Sequence, residues 1–303
     1  MREYKYISSL SKDEINSNIV IACKDEKGNN TILIKNSENK MTTFPFATDN
    51  LMIQRDALLD LNGENIYCHI ITALKNDIFA TEQFEIIYEY IFKKMTAPIS
   101  GAELVNLINS LEEFFKITPE KDQVQFQVGV AGELLTVKML YESGYQDIIY
   151  KYHKDFFSKH DIEINDKTRI EIKSTAKSKR IHKFGHDQIY RKDVNVYVAS
   201  VLFELSQEGK TLYELFNDVI ALYSDPDNIF GLKKMMKRCG INEDKQGIVF
   251  AELKAISDFR VFRAEDLPKI EMEAPRGVTN IYYDVDCSLA EPIEIDTLLS
   301  EIS

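Results

Sequence analysis

The chain has 303 residues, 37 of them Lys or Arg and 49 Asp or Glu, which gives a formal net charge of −12. That is the wrong sign for a protein that coats nucleic acid over its whole surface, because such affinity comes mostly from neutralised phosphates. With 44% apolar and 28% charged residues, wholesale disorder is excluded, and the length suits about two domains.

The four cysteines, Cys23, Cys68, Cys239 and Cys287, form no C-x-x-C pair, so neither a disulfide framework nor a local zinc knuckle is expected. No run approaches ~18 consecutive apolar residues, and the first residues lack the apolar stretch of a signal peptide. The expectation is a reduced, cytoplasmic chain with no membrane partner.

The first third reads as a mixed α+β unit. Asn18–Cys23 and Thr31–Lys35 are β-branched runs separated by a polar Gly/Asn-rich stretch, the pattern of a hairpin, and Asn65–Thr72 is a third strand candidate. The period then becomes helical: Phe84, Ile87, Tyr88, Ile91 and Phe92 share a face, with Thr81 as the expected cap. Ser100 and Glu103 form a capping box before a second apolar stripe of Leu104, Leu107, Ile108 and Leu111. A boundary near Ile117 would separate an N-terminal α+β domain (1–117, for recognition or partner binding) from a second domain over 118–303.

Thr118, Pro119 and Glu120 have the form of an N-cap with proline at the first helical position, although Val124, Phe126 and Val128 alternate like a strand. From Gly129 the helical period is clear, with Val130, Leu134, Val137 and Tyr141 on one face, Glu133 off it, and Gly144 as the stop. Three short strands are expected at Asp147–Lys151, His160–Ile164 and Arg169–Ser174, the last two joined by the polar turn Asn165-Asp166-Lys167. A basic connector leads to a longer apolar strand, Asp193–Leu205. Thr211 with Glu214, and then Pro226, open two further helices; Ile248–Ile256, Arg260–Phe262 and Val278–Asp286 look extended.

Charge is distributed unevenly. Lys167 to Lys192 contain nine basic residues against two acids, a local +7, which leaves −19 for the rest. Taken alone, this is a solvated basic face. Its position directly after a pair of acids gives it another meaning.

In Arg169-Ile-Glu-Ile-Lys-Ser174, Glu171 and Lys173 lie two apart and project from one strand face, while Ile170 and Ile172 take the other. Asp161 has the same alternation on the neighbouring strand, and a short hairpin brings it within reach of Glu171. Two carboxylates this close repel unless a cation lies between them, and a hard divalent ion is the usual solution. Such an ion suits phosphodiester hydrolysis, with Lys173 placed to orient or deprotonate the attacking water or to stabilise the charge that develops. Glu-x-Lys also starts at Glu3, Glu38, Glu208, Glu243 and Glu252, but only Glu171 follows a polar hairpin and precedes the basic connector.

These residues resemble the PD-(D/E)xK nuclease superfamily, with Asp161 as its first acid and Glu171-Ile172-Lys173 as the (D/E)xK element; His160 replaces the proline that usually precedes the acid. Gly129-Val-Ala-Gly-Glu-Leu-Leu135 looks like the leading helix, with Glu133 matching its acid. The wider pattern is similar to an uncharacterised branch associated with bacterial restriction or phage-defence loci.

The resemblance implies an α/β (α+β) fold. Its restriction-endonuclease-like core (helix, three-strand meander, helix, strand) would span about 125–205, with N-terminal α+β and C-terminal helical and β additions. It implies a Mg²⁺-dependent DNA endonuclease, with Mn²⁺ able to substitute. Asp161, Glu171 and Glu133 would be the metal ligands, and Lys173 the remaining catalytic residue. Lys177, Lys179, Arg180, His182, Lys183, His186 and Gln188 are the nucleic-acid-binding candidates. His182 and His186 also have the i, i+4 spacing of zinc ligands, but no third ligand stands out. Partners on this reading are DNA, a second copy of the chain, and an ATPase, helicase or methyltransferase, since the chain lacks a phosphate-binding loop of its own. The alternatives are a non-catalytic DNA-binding or assembly subunit and a nuclease for repair or branched DNA.

Overall fold

The computed structural model describes residues 5–6, 19–25, 27–38, 46–61, 64–75, 78–152, 160–191, 193–273, 275–278 and 280–302. Contacts divide the chain into two units, Met1–Thr118 with Ser224–Lys234, and Pro119–Tyr223 with Met235–Ser303. No helix among the described residues is long and apolar enough to cross a membrane.

The first unit contains β1 (Lys5–Tyr6), β2 (Val20–Lys24), β3 (Asn30–Lys35), β4 (Phe46–Ala47), β5 (Leu51–Leu61), β6 (Glu64–Ala73), α1 (Ile78–Lys94) and α2 (Gly101–Lys116). Its antiparallel sheet has the order β1-β2-β3-β6-β5-β4. The expected hairpin is β2–β3, and the Ser100–Glu103 capping box is formed. Two expectations fail. Thr81 lies inside α1 rather than at its cap, and β5 has no counterpart among the expected strands. Asp56, at φ 53°, interrupts the β5 alternation where the register with β6 shifts between Gln54 and Ala57.

The second unit opens with α3 (Gln123–Glu142), whose N-cap is Asp122 and not Thr118. Val124, Phe126 and Val128 are helical, and their alternation marks no strand: Val124, in the first turn, is exposed while Val128 is buried. Gly144, at φ 106°, ends the helix in a Schellman arrangement: Tyr145 N–H reaches Leu140 O and Gly144 N–H reaches Tyr141 O.

Next come α4 (Ile148–Lys151), β7 (Ile162–Asn165), β8 (Thr168–Thr175), β9 (Ile181–Gly185), α5 (His186–Ile189) and β10 (Asn195–Leu202). The expected strand at 147–151 is therefore a helical turn, and only Tyr152 after it bridges Ile162. The remaining elements of the chain are β11 (Leu205–Thr211), α6 (Leu212–Ile220), α7 (Pro226–Arg238, of which the residues up to Lys234 belong to the first unit), β12 (Val249–Phe250), α8 (Glu252–Ser257), β13 (Arg260–Arg263), β14 (Tyr282–Asp286) and α9 (Ile295–Ile302). Ile248–Ile256, expected to be extended, is thus mostly the helix α8.

The central sheet has the order β13-β10-β8-β7. β7–β8 is the antiparallel hairpin, while β8 and β10 run parallel, as the intervening crossover through β9 and α5 allows. β9 leaves this sheet and pairs with β14 instead. The basic segment therefore contains a strand, and its Lys183 faces Asp284 of β14. Ile162, Ile164, Ile170 and Ile172 are buried, as the hairpin register requires. The mixed α/β arrangement agrees with the fold class expected from the sequence.

Candidate active site

Asp161 stands one residue before β7. The register Ile162–Ile170 and Glu163–Arg169, carried one step further, sets Asp161 opposite Glu171. Glu171 is 2% exposed, an unusual position for a carboxylate, and its oxygens are supplied with donors. Lys173 Nζ donates to Oε1 at 2.7 Å and Gln188 Nε2 to the same atom at 2.5 Å, while His160 Nδ1 donates to Oε2 at 3.2 Å. Gln188 is held from behind: its Oε1 accepts from Gly185 N–H at 2.8 Å and lies 3.4 Å from Lys173 Nζ. The Lys173 ammonium also stands 5.3 Å from the centre of the Phe184 ring.

Asp161 Oδ2 accepts from the Ile172 main-chain N–H at 2.6 Å. Burial, then the negative charges of Glu171 and Glu133, hold its carboxyl well above the usual range, against the Ile172 hydrogen bond and the charge of Lys173. Glu133 itself, on α3, accepts from Tyr152 Oη at 2.9 Å. The Tyr152 hydroxyl is pushed well up by burial and then by Glu133.

The donor chemistry suits a divalent cation. Asp161, Glu171 and Glu133 are hard oxygen donors, and the rise at Asp161 comes first from burial and then from the like charges of the other two, which a bound cation would offset. Each also has a protein donor, and among the described residues no three His, Cys, Asp or Glu side chains are gathered closely enough to hold a metal ion. Ion binding at all three carboxylates would thus require side chains around Glu171 to re-orient.

The other site candidates are distributed unevenly. Lys177, Lys179 and Lys183 are exposed. Arg180 is half-buried and spends its guanidinium on Ser200 O and Oγ and on Asp258 O. His182 is buried, its Nε2 2.7 Å from Ser200 Oγ. His186 is buried between Tyr283 Oη and Met272 O. With His182 on a strand and His186 at the start of α5, the two do not share a helix face. Lys192, the end of the basic segment, lies outside the described residues. The competing Glu252-Leu-Lys254 tripeptide is on a helix, where Glu252 pairs with Lys138 and Lys210, and Lys254 with Glu204.

Two residues at the site were not among the sequence candidates. His160, which the resemblance sets in place of a proline, is a hydrogen-bond donor to Glu171; its adjacency to Asp161 was the available signal. Tyr152 carries no sequence signal, because its role depends on α4 ending where it does.

No curated protein and no solved structure matches the chain. A family described as "Putative PD-(D/E)XK family member, (DUF4420)" matches residues 3–288. Nearly the whole chain is covered, so the protein belongs to this PD-(D/E)XK-like family.

Proposed function

We propose that the protein is a metal-dependent DNA endonuclease that hydrolyses phosphodiester bonds. The observation that carries this reading is the convergence of Asp161, Glu171 and Lys173 at the β7–β8 hairpin, with Glu133 within electrostatic reach. Asp161, Glu171 and Glu133 would hold Mg²⁺ or Mn²⁺. When bound, the ion would polarise a phosphoryl oxygen and offset the charge that builds on the phosphate. Lys173, steadied by Gln188 and the Phe184 ring, orients the attacking water and stabilises the developing negative charge. The exposed lysines 177 and 179 attract the backbone, while Lys183, exposed as well, lies across from Asp284 and beside the Tyr282 ring. A restriction or phage-defence setting, with an ATPase, helicase or methyltransferase partner, a homodimer for double-strand cutting, and the N-terminal domain for recognition, completes the proposal.

A second reading, a DNA-binding or assembly subunit without turnover, has one observation in its favour: Glu171 is buried and already saturated by three protein donors. The test is cleavage of plasmid DNA with Mg²⁺ or Mn²⁺ and with chelator, for wild type and Lys173→Ala. Divalent-dependent cutting that Lys173→Ala abolishes supports the enzyme, and an equally active variant refutes the site. Removing Lys173 strips a buried carboxylate of its cation, at a cost of about 3 kcal/mol. Thermal unfolding of the variant must therefore accompany the assay, and Lys173→Arg serves as the charge-retaining control.

A further inference from the structure

Tyr282, the first residue of β14, is 57% exposed, and Lys183 of the paired strand holds its Nζ 5.3 Å from the ring centre. Directly across the ribbon is Gly185. Its φ of −69° is open to any residue, so the backbone does not demand glycine there. Space does. A β-carbon at Gly185 would stand 3.1 Å from Asp187 Oδ1, 3.5 Å from Gln188 Oε1 and 3.5 Å from Tyr282 Cε1. Two atoms each 3.5 Å from one point are at most 7 Å apart, so the ring edge lies within 7 Å of the Gln188 oxygen that faces Lys173. The exposed ring therefore stands beside the side chains that hold Glu171, with only the glycine backbone directly across from it.

We infer that Tyr282 is a stacking platform for an unpaired nucleobase, so that this site engages a DNA strand where such a base is presented, in single-stranded DNA or where a duplex is frayed or opened. The inference rests on the nuclease reading above. A base inside a duplex has both faces occupied by its neighbours, whereas an unpaired base offers a free π-face to an aromatic ring. The charges of the ribbon favour contact with a base over contact with phosphate. Asp284 lies across from Lys183, and Asp286 is engaged by Ser288 N–H and Oγ, so little net positive charge remains on this face. An uncharged base held by the ring, with its phosphate passed towards Lys173, fits that balance.

The experiment is fluorescence anisotropy in chelator, so that no cleavage occurs, with labelled single-stranded oligothymidylate, a blunt two-strand duplex with G·C-rich ends and an abasic strand of equal length. Tyr282→Ala should bind the single strand about tenfold more weakly, with its duplex and abasic affinities unchanged. Tyr282→Phe should restore binding, and Tyr282→Leu should not. The salt dependence of single-strand binding should be the same in Tyr282→Ala and wild type, since no phosphate contact is lost. Wild type that fails to bind the single strand overturns the inference. So does Tyr282→Ala binding it as well as wild type, or losing affinity equally for the abasic strand. The two readings fail separately: ring-dependent binding without divalent-dependent cutting removes the nuclease and keeps the platform. Lys173-dependent cutting that is indifferent to Tyr282 does the reverse.

Discussion

A β-carbon on Gly132 would stand 2.5 Å from Ser174 Cβ and 2.7 Å from its Oγ, so α3 and β8 meet there with no side chain from the helix between them. Ser174 Oγ completes the contact by donating to Val128 O at 2.8 Å. This approach sets the position of Glu133, the next residue on the helix. Gly132→Ala is expected to cost about 1–3 kcal/mol through overpacking. Gly129→Ala, on the same helix with nothing within 4 Å, should gain about 0.5–1 kcal/mol. Urea unfolding of the two variants checks the contrast, and equal effects would show that the close approach is not what glycine serves at 132.

Asp161 is held in a neighbourhood of like charge, and Asp161→Asn keeps an oxygen that can accept from Ile172 N–H while removing one repelling carboxylate. The variant is expected to be more stable than wild type in chelator, by about 1 kcal/mol, while losing divalent-dependent cutting. Added Mn²⁺ should raise the melting temperature of wild type and not of the variant. A variant less stable than wild type in chelator would mean that the carboxylate contributes to folding and not at its expense.

The His160 donor to Glu171 makes a prediction that the family's usual proline would not. His160→Ala leaves a buried carboxylate oxygen without that donor, at a cost of about 2 kcal/mol. His160→Asn, whose amide nitrogen can take the place of Nδ1, should recover most of the loss, and His160→Pro should not. Denaturant midpoints decide this; an alanine variant as stable as wild type would leave the contact without weight.

What could be read from the sequence was local. Asp161, Glu171 and Lys173 share a turn of three polar residues and an alternation of period two, so their face follows from the strand register alone. The capping boxes at Ser100 and Thr211 are equally local. The rest depended on tertiary arrangement. β5 was hidden by the left-handed residue Asp56, and only the first turns of α3 by the alternation of Val124, Phe126 and Val128. β9 was hidden because its buried alternate residues include His182, so that Ile181-His-Lys-Phe184 reads as a basic stretch and not as a strand. Tyr152 and Tyr282 act through partners 19 residues distant or across a ribbon, and no spacing rule marks them.

His182 gives the fold a defined response to acid. It is buried beside Ser200 Oγ, below the β9–β14 ribbon, with Val285 opposite it, the Phe184 ring at its edge and Arg180 and Lys173 as the nearby cations. Burial first, then the charges of Arg180 and Lys173, depress its pKa to about 4. The unfolded chain takes up this proton near pH 6.5 and the folded chain only near pH 4. The contribution to stability is therefore complete above pH 6.5 and declines as pH falls through the interval, by about 3 kcal/mol in total. His182→Gln, which keeps a polar nitrogen for Ser200 but cannot titrate, should lack this component. Urea unfolding of both proteins at pH 7 and pH 4.5 measures it. Wild type should lose about 2–3 kcal/mol more than the variant over that range, and parallel losses would place the acid sensitivity elsewhere in the fold.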